Sequence, residues 1–220
     1  VYLSRAKGQL NGKTEKDIWI DGAVSGGLVG DTDFSALTIK NSLAATVIQG
    51  KTAAGGLVGI GHGGISLDHS YADCYLYSDP DTTETDAGYA SGLIGWRVVA
   101  TATLKITDCY AAGFLVGKTT AGLVACDLSA DNNTLQNVYS ACVPLTVEKL
   151  TYGTADKGGF GATVEHVYYL GETENPDTTI GTPISYSELN AADAEKLFDS
   201  TAFTRQNSDT YAYNLMKGLG

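Results

Sequence analysis

Apolar residues along this 220-residue chain fall in short alternating runs rather than in helical stripes. Asp17-Ile18-Trp19-Ile20-Asp21 and Ile65-Ser66-Leu67-Asp68 alternate with period two, the pattern of strands that bury one face. One stretch differs. Asn190 to Phe198 carries apolar residues at 191, 194, 197 and 198 behind an Asn cap, with an acid at the third helical position, and predicts a short amphipathic helix. That helix is expected to cover the last coil of whatever precedes it and block an open β-edge.

The runs repeat. Gly26-Gly27-Leu28-Val29-Gly30, Gly55-Gly56-Leu57-Val58-Gly59, Ser91-Gly92-Leu93-Ile94-Gly95 and Ala121-Gly122-Leu123-Val124-Ala125 are four copies of one segment, with a degenerate fifth at Gly158-Gly159-Phe160-Gly161-Ala162. Each is followed by a second segment, beginning at Ile39, Leu67, Ile106, Leu135 and Val164 and typified by Ile106-Thr107-Asp108-Cys109-Tyr110-Ala111. A period near 29 residues, holding two short strands and glycine turns, fits one coil of a β-solenoid; propeller blades usually need about 40. Equivalent residues should then stack about 4.8 Å apart, so five coils rise about 24 Å. The glycines are expected at corners, where only Gly takes φ > 0 without strain. The reading is all-β: a parallel β-helix-like solenoid of about five coils with a short α-helical C-terminal segment. Residues 1–22 lead in, 23–171 form the repeats and 172–220 close them.

The pairing of G-G-L-V-G with I-x-N-S-Y-A resembles the GLUG motif, a short repeat of large secreted and surface-attached bacterial proteins. The resemblance covers residues 23 to about 171. It departs at Leu43, which stands where Tyr is usual, and at Phe160-Gly161, which replace Leu-Val; terminal repeats are commonly atypical. It implies a bacterial, extracellular or cell-surface setting and a scaffolding or adhesive role, and it carries no catalytic residues.

Charge narrows the partners. A formal net charge of -11 leaves no basic footprint for a phosphate backbone, which excludes nucleic acid. No apolar run reaches the roughly 18–20 residues of a membrane-spanning helix. The start, Val1-Tyr2-Leu3-Ser4-Arg5, has neither an initiator Met nor the layout of a signal peptide, and reads as that of a mature or excised fragment.

The longest interval between second segments, Leu67 to Ile106, contains about ten extra residues, including Asp79-Pro80-Asp81-Thr82-Thr83-Glu84-Thr85-Asp86. Insertions in solenoids become loops on one face, often the binding face. Asp79, Asp81, Glu84 and Asp86 are therefore candidate binding residues, together with Trp96 as an exposed aromatic. Four carboxylates could hold Ca²⁺, but read as an EF-hand the loop has Glu84 where Gly belongs and Ala90 where Glu belongs, so a solvated turn is preferred and no metal or cofactor is assigned. Tyr71, Tyr110, Tyr139 and Tyr168 share one repeat position and should stack, as packing if covered or as a sugar platform if bare. His69 and His166 share the place of Asn41, Asp108 and Asn137, a polar ladder at a corner, while His62 has no spaced partner. Cys74 and Cys142 fall two coils apart, about 9.6 Å, beyond the roughly 7 Å reach of a disulfide, so free buried thiols are expected.

Enzymatic motifs fail on context. Gly59, Gly61 and Gly64 have dinucleotide-binding spacing, but a strand follows instead of a helix. His62-Gly63-Gly64 resembles an esterase oxyanion turn without a G-x-S-x-G elbow, and no H-E-x-x-H occurs. The sequence points to a non-catalytic adhesion or display module whose ligand is a host protein, an envelope protein or a glycan. The alternative is carbohydrate binding or polysaccharide processing on the side face.

Overall fold

The computed structural model describes residues 5–7, 19–33, 35–98, 102–125, 133–146, 148–155, 163–174, 176–177, 179–191, 193–199, 201–204 and 215–216. The chain is mostly β, built on one 13-stranded sheet and a separate three-stranded one. All pairings in these two sheets are parallel; among the described residues one antiparallel pair joins Phe203–Thr204 to Leu215–Met216.

Register follows the repeat. Ile39 pairs with Leu67, Leu67 with Ile106, Ile106 with Leu135 and Leu135 with Val164, the alignment read from the second segments. The motif glycines open a break between strands: Val47–Gly55 ends at it, and Val58–Gly61 resumes beyond it in the three-stranded sheet with Val29–Asp31 and Ile94–Arg97. At the break, Leu57 O accepts from both Leu28 N and Val29 N, and Leu93 O accepts from both Leu57 N and Val58 N. Leu57, Leu93 and Leu123 are fully buried, as are Ile39, Leu67, Ile106 and Leu135 opposite them, and together they line one continuous core.

The glycines are required for a reason other than the expected one. Among the described residues no motif glycine has positive φ. A Cβ on Gly56 would stand 2.0 Å from Gly92 O and 2.4 Å from Ala72 Cβ; on Gly92, 2.0 Å from Gly122 O and 2.4 Å from Ala111 Cβ. The second glycine of each described copy thus faces the small residue of its own repeat's second segment across the interior, Ala44, Ala72, Ala111 or Ser140, which explains why the two segments recur together. The left-handed bends lie instead at Asn41, His69, Asp108, Asn137 and His166, with φ between 46° and 54°. Asn, Asp and His are the side chains that enter this region most readily after Gly.

Two further expectations change, and the parallel pairing extends at both ends. The place beside Gly122-Leu123 is taken by Gly153-Thr154, since Leu123 N donates to Thr154 O and a Cβ on Gly122 would meet Gly153 O; residues 158–162, read as the fifth copy, lie outside the described residues. Parallel pairing continues past residue 171, with Thr182–Ile184 in register on Tyr168–Leu170, and Arg5–Lys7 adds a strand on Leu43–Ala45. The predicted helix moves. Tyr186–Leu189 is helical behind a Ser185 capping box with Glu188, Asn190 is its C-cap, and Ala194–Leu197 forms only a 3-10 turn. The capping box offers two reciprocal hydrogen bonds where Asn190 offered one, and helix starts follow the better cap.

The C-terminal segment lies on the side of the sheet rather than across its end. Phe198 and Phe203 pack on Tyr110 and Tyr139, and Phe198 meets Tyr168 edge-on, so the segment covers three successive repeats. Leu189, Ala202 and Ile184 complete this second hydrophobic cluster.

Candidate functional site

Three features of the side faces offer chemistry. The first is the inserted loop, which follows Tyr71–Tyr77 and returns at Tyr89–Ser91. Asp79 Oδ1 accepts from Asp81 N at 3.1 Å and Thr82 Oγ1 from Glu84 N at 3.2 Å, so local turns shape it. Lysines from the neighbouring repeats hold it on both sides. Lys51 Nζ lies 3.0 Å from Glu84 Oε1, and Lys118 Nζ donates to the Thr82 and Glu84 carbonyls at 3.4 Å. Asp81, Glu84 and Asp86 are exposed, and among the described residues none of the four loop carboxylates belongs to a group close enough to share an ion. Trp96 is half-buried on Ile94–Arg97 and stacks on Tyr89 at 5.3 Å, which places it beside the loop's return. Behind it Arg97 is 1% exposed and donates to the Ala102 carbonyl; burial draws its guanidinium down to about 10.

The second feature is an aromatic row in two states. Tyr71, Tyr110 and Tyr139 stack at 4.6 and 5.0 Å with rings within 6° of parallel, as the repeat position required. Tyr110 and Tyr139 lie under Phe198 and Phe203, so this row is packing. Farther along the same strands a second row is bare. Val47 pairs with Tyr75, Tyr75 with Phe114 and Phe114 with Val143. Tyr75, Phe114 and Val143 are 38, 47 and 48% exposed. In the alternation of strand Tyr71–Tyr77 these positions read as ordinary solvent-facing places; the signal missed was that three neighbouring strands all put large apolar residues there.

The third is the left-handed ladder. Asn137 exchanges two hydrogen bonds with the Asp199 backbone at 3.0 and 3.3 Å, and the His166 ring meets Leu197 O at 3.0 Å, so the later rungs anchor the C-terminal segment. The earlier rungs gather titratable groups. His69 Nδ1 lies 2.7 Å from Asp68 Oδ1, His69 Nε2 lies 3.6 Å from Asp108 Oδ2, and Lys40 Nζ holds the other Asp68 oxygen at 3.1 Å. Burial alone would raise the Asp68 carboxyl, but the His69 and Lys40 contacts outweigh it and hold the group below its ordinary range. His62, without a spaced partner in the sequence, finds one in the neighbouring repeat: its Nδ1 is 2.9 Å from Asp31 Oδ1.

Cys74, Cys109 and Cys142 are buried and unbridged, and Cys126 lies outside the described residues. Cys74 and Cys142 both flank Gly113, two strands apart as the repeat spacing required. Burial pushes the thiols up, to about 12 at Cys74 and Cys142. Among the described residues no helix is long and apolar enough to cross a membrane. Comparison with protein-family models, with curated proteins and with solved structures returns no match.

Proposed function

We propose that the chain is a β-solenoid module of about five coils from a secreted or cell-surface bacterial protein, and that it acts in adhesion or display and not in catalysis. In this reading residues 1–22 lead in, 23–171 form the repeats and 172–220 are a C-terminal capping segment with a short helix. One observation carries it: unbroken parallel register between segments 28, 39, 29 and 29 residues apart, with the fully buried core residues Leu67, Ile106 and Leu135 stacked on one another. Stacking of this kind makes a stiff body with a long side face, which suits spacing and presentation. The GLUG-like pairing of segments supports the extracellular setting. Duplicating one 29-residue repeat, Ile106 to Thr134, is the test. The maximum dimension in small-angle scattering should grow by about 4.8 Å while unfolding stays cooperative. A chain that loses its fold or grows in another direction would end the solenoid reading.

The second reading, glycan binding on the side face, is favoured by the bare row through Tyr75 and Phe114, since flat aromatic surfaces stack on sugar rings. Soluble polysaccharides of several classes would be screened against the wild type, Tyr75→Ala/Phe114→Ala and a chain lacking residues 79–86. Loss only in the double variant places the ligand on the row; loss only on deletion places it at Asp79, Asp81, Glu84 and Asp86. Binding by all three would remove both.

A further inference from the structure

We infer that Asp68, His69 and Asp108 form a binding site for a divalent transition-metal ion of the zinc class, with His69 Nε2 and Asp108 as direct ligands and Asp68 orienting the imidazole. One ligand atom from each residue lies within 4.8 Å of the others. The contacts assign different roles. Asp68 Oδ1 sits at 2.7 Å from His69 Nδ1 while its second oxygen is held by Lys40, so this carboxylate is satisfied without a metal and fixes the ring. Metal-binding histidines are held in this way, one nitrogen donating to a carboxylate while the other faces the ion.

With the Nδ1 proton given to Asp68, the Nε2 lone pair faces the Asp108 carboxylate across 3.6 Å. Two electron-rich groups at that separation are relieved either by a proton on Nε2 or by a cation between them, and the orphaned Asp108 oxygen favours the cation. Ligands each about 2.1 Å from a tetrahedral zinc stand roughly 3.4 Å apart, close to what is seen. Asp108 supplies the independent sign. The residue is 8% exposed, and its Oδ1, the oxygen beside the Oδ2 that faces His69, is buried with no hydrogen-bond partner, a costly state that an ion held by both carboxylate oxygens would relieve. His69 is 43% exposed along its side chain, which leaves a path for exchange and room for water on the remaining coordination positions. An imidazole with a carboxylate selects zinc-like ions over Ca²⁺. The site joins two adjacent repeats at their left-handed bends, so the bound ion would brace them.

The chain has three histidines, so its ring NMR signals can be assigned one by one with His62→Asn, His69→Asn and His166→Asn. Asn already occupies this left-handed position at Asn41 and Asn137, so His69→Asn and Asp108→Asn should retain the fold. Adding Zn²⁺ to the metal-free full chain should shift the His69 ring signals at concentrations that leave His62 and His166 unchanged. His62, whose ring meets the Asp31 carboxylate, is the internal control. Asp108→Asn should weaken zinc binding tenfold or more and Asp68→Asn by about tenfold, and Zn²⁺ should raise the thermal midpoint of the wild type but not of Asp108→Asn. The proposal fails if His69 is silent up to about 1 mM Zn²⁺. It also fails if His62 responds equally, if Asp108→Asn binds like the wild type, or if Ca²⁺ displaces zinc.

Discussion

Two turns in each repeat, at the glycine pair and at the Asn, Asp or His bend, obey opposite constraints. At the glycine pair the backbone is ordinary and space is absent: a Cβ on Gly92 would stand 2.0 Å from Gly122 O. At the bend space is available and the backbone is unusual, with φ of 51° at Asp108. In these motifs glycine therefore marks close approach, while positive φ goes to Asn, Asp and His, of which His69 and Asp108 meet across repeats and Asn137 and His166 bond the C-terminal segment. A glycine in a repeat does not by itself say which of the two it answers.

The largest test is Gly92→Ala. The added methyl meets backbone oxygen and the Ala111 methyl, neither of which can swing away, so we expect a loss of about 3 kcal/mol or more in denaturant unfolding. The same site lies 3.0 Å from Cys142 Sγ, so opening it should expose that thiol. Wild-type Cys74, Cys109 and Cys142 should react with a thiol reagent only on unfolding, whereas Gly92→Ala should release Cys142 early in mass-resolved labelling. If Gly92→Ala proves neutral, close approach is not what the glycine serves.

Asn137→Ala is next. It forces a Cβ-branching-free but still L-configured residue into φ of 53° and removes both bonds to the Asp199 backbone, so roughly 1–3 kcal/mol should be lost. Limited proteolysis should then cut near residue 199 before the sheet. Asp108→Gly, by contrast, keeps the bend available and should stay within about 1 kcal/mol of the wild type. A large loss at Asp108→Gly with little at Gly92→Ala would reverse the comparison.

The smallest effect is in pH. The Asp68 carboxyl is held below its ordinary value in the folded chain, so it contributes stability that is present above the unfolded value near 4 and lost as pH falls through the folded one. Asp68→Asn should remove that contribution from the neutral plateau, leave stability near pH 2 nearly unchanged, and so flatten the acid side of the curve. Chemical denaturation between pH 2 and 6 measures this.

Much of this was legible without coordinates. The recurrence of Ile39, Leu67, Ile106 and Leu135 specified register, because in a parallel stack each residue meets its own equivalent. The same alignment placed the tyrosines on one another and kept Cys74 from Cys142. The inserted loop at 79–86 and the polar ladder were visible as departures from the repeat. The helix after residue 185 was predicted in kind and misplaced in position, since apolar spacing at 191–198 fits a 3-10 turn as well as a helix.

What remained hidden depends on contacts between segments far apart in the chain. That Gly56 faces Ala72, and that Lys51 and Lys118 hold the acidic loop, follow from how each repeat closes on itself and on its neighbours. The C-terminal segment chose the Tyr110–Tyr139 side over the end of the sheet because a buried aromatic row was there to receive Phe198 and Phe203. His69 and Asp108 share a repeat position in the sequence, but only stacking of the two bends brings their side chains to 3.6 Å. The sequence alone determined period, register and the kind of residue at each turn, because stacking repeats pair like with like. The tertiary structure decided which side chains meet across those turns, because that depends on the width of the interior and on where the chain folds back.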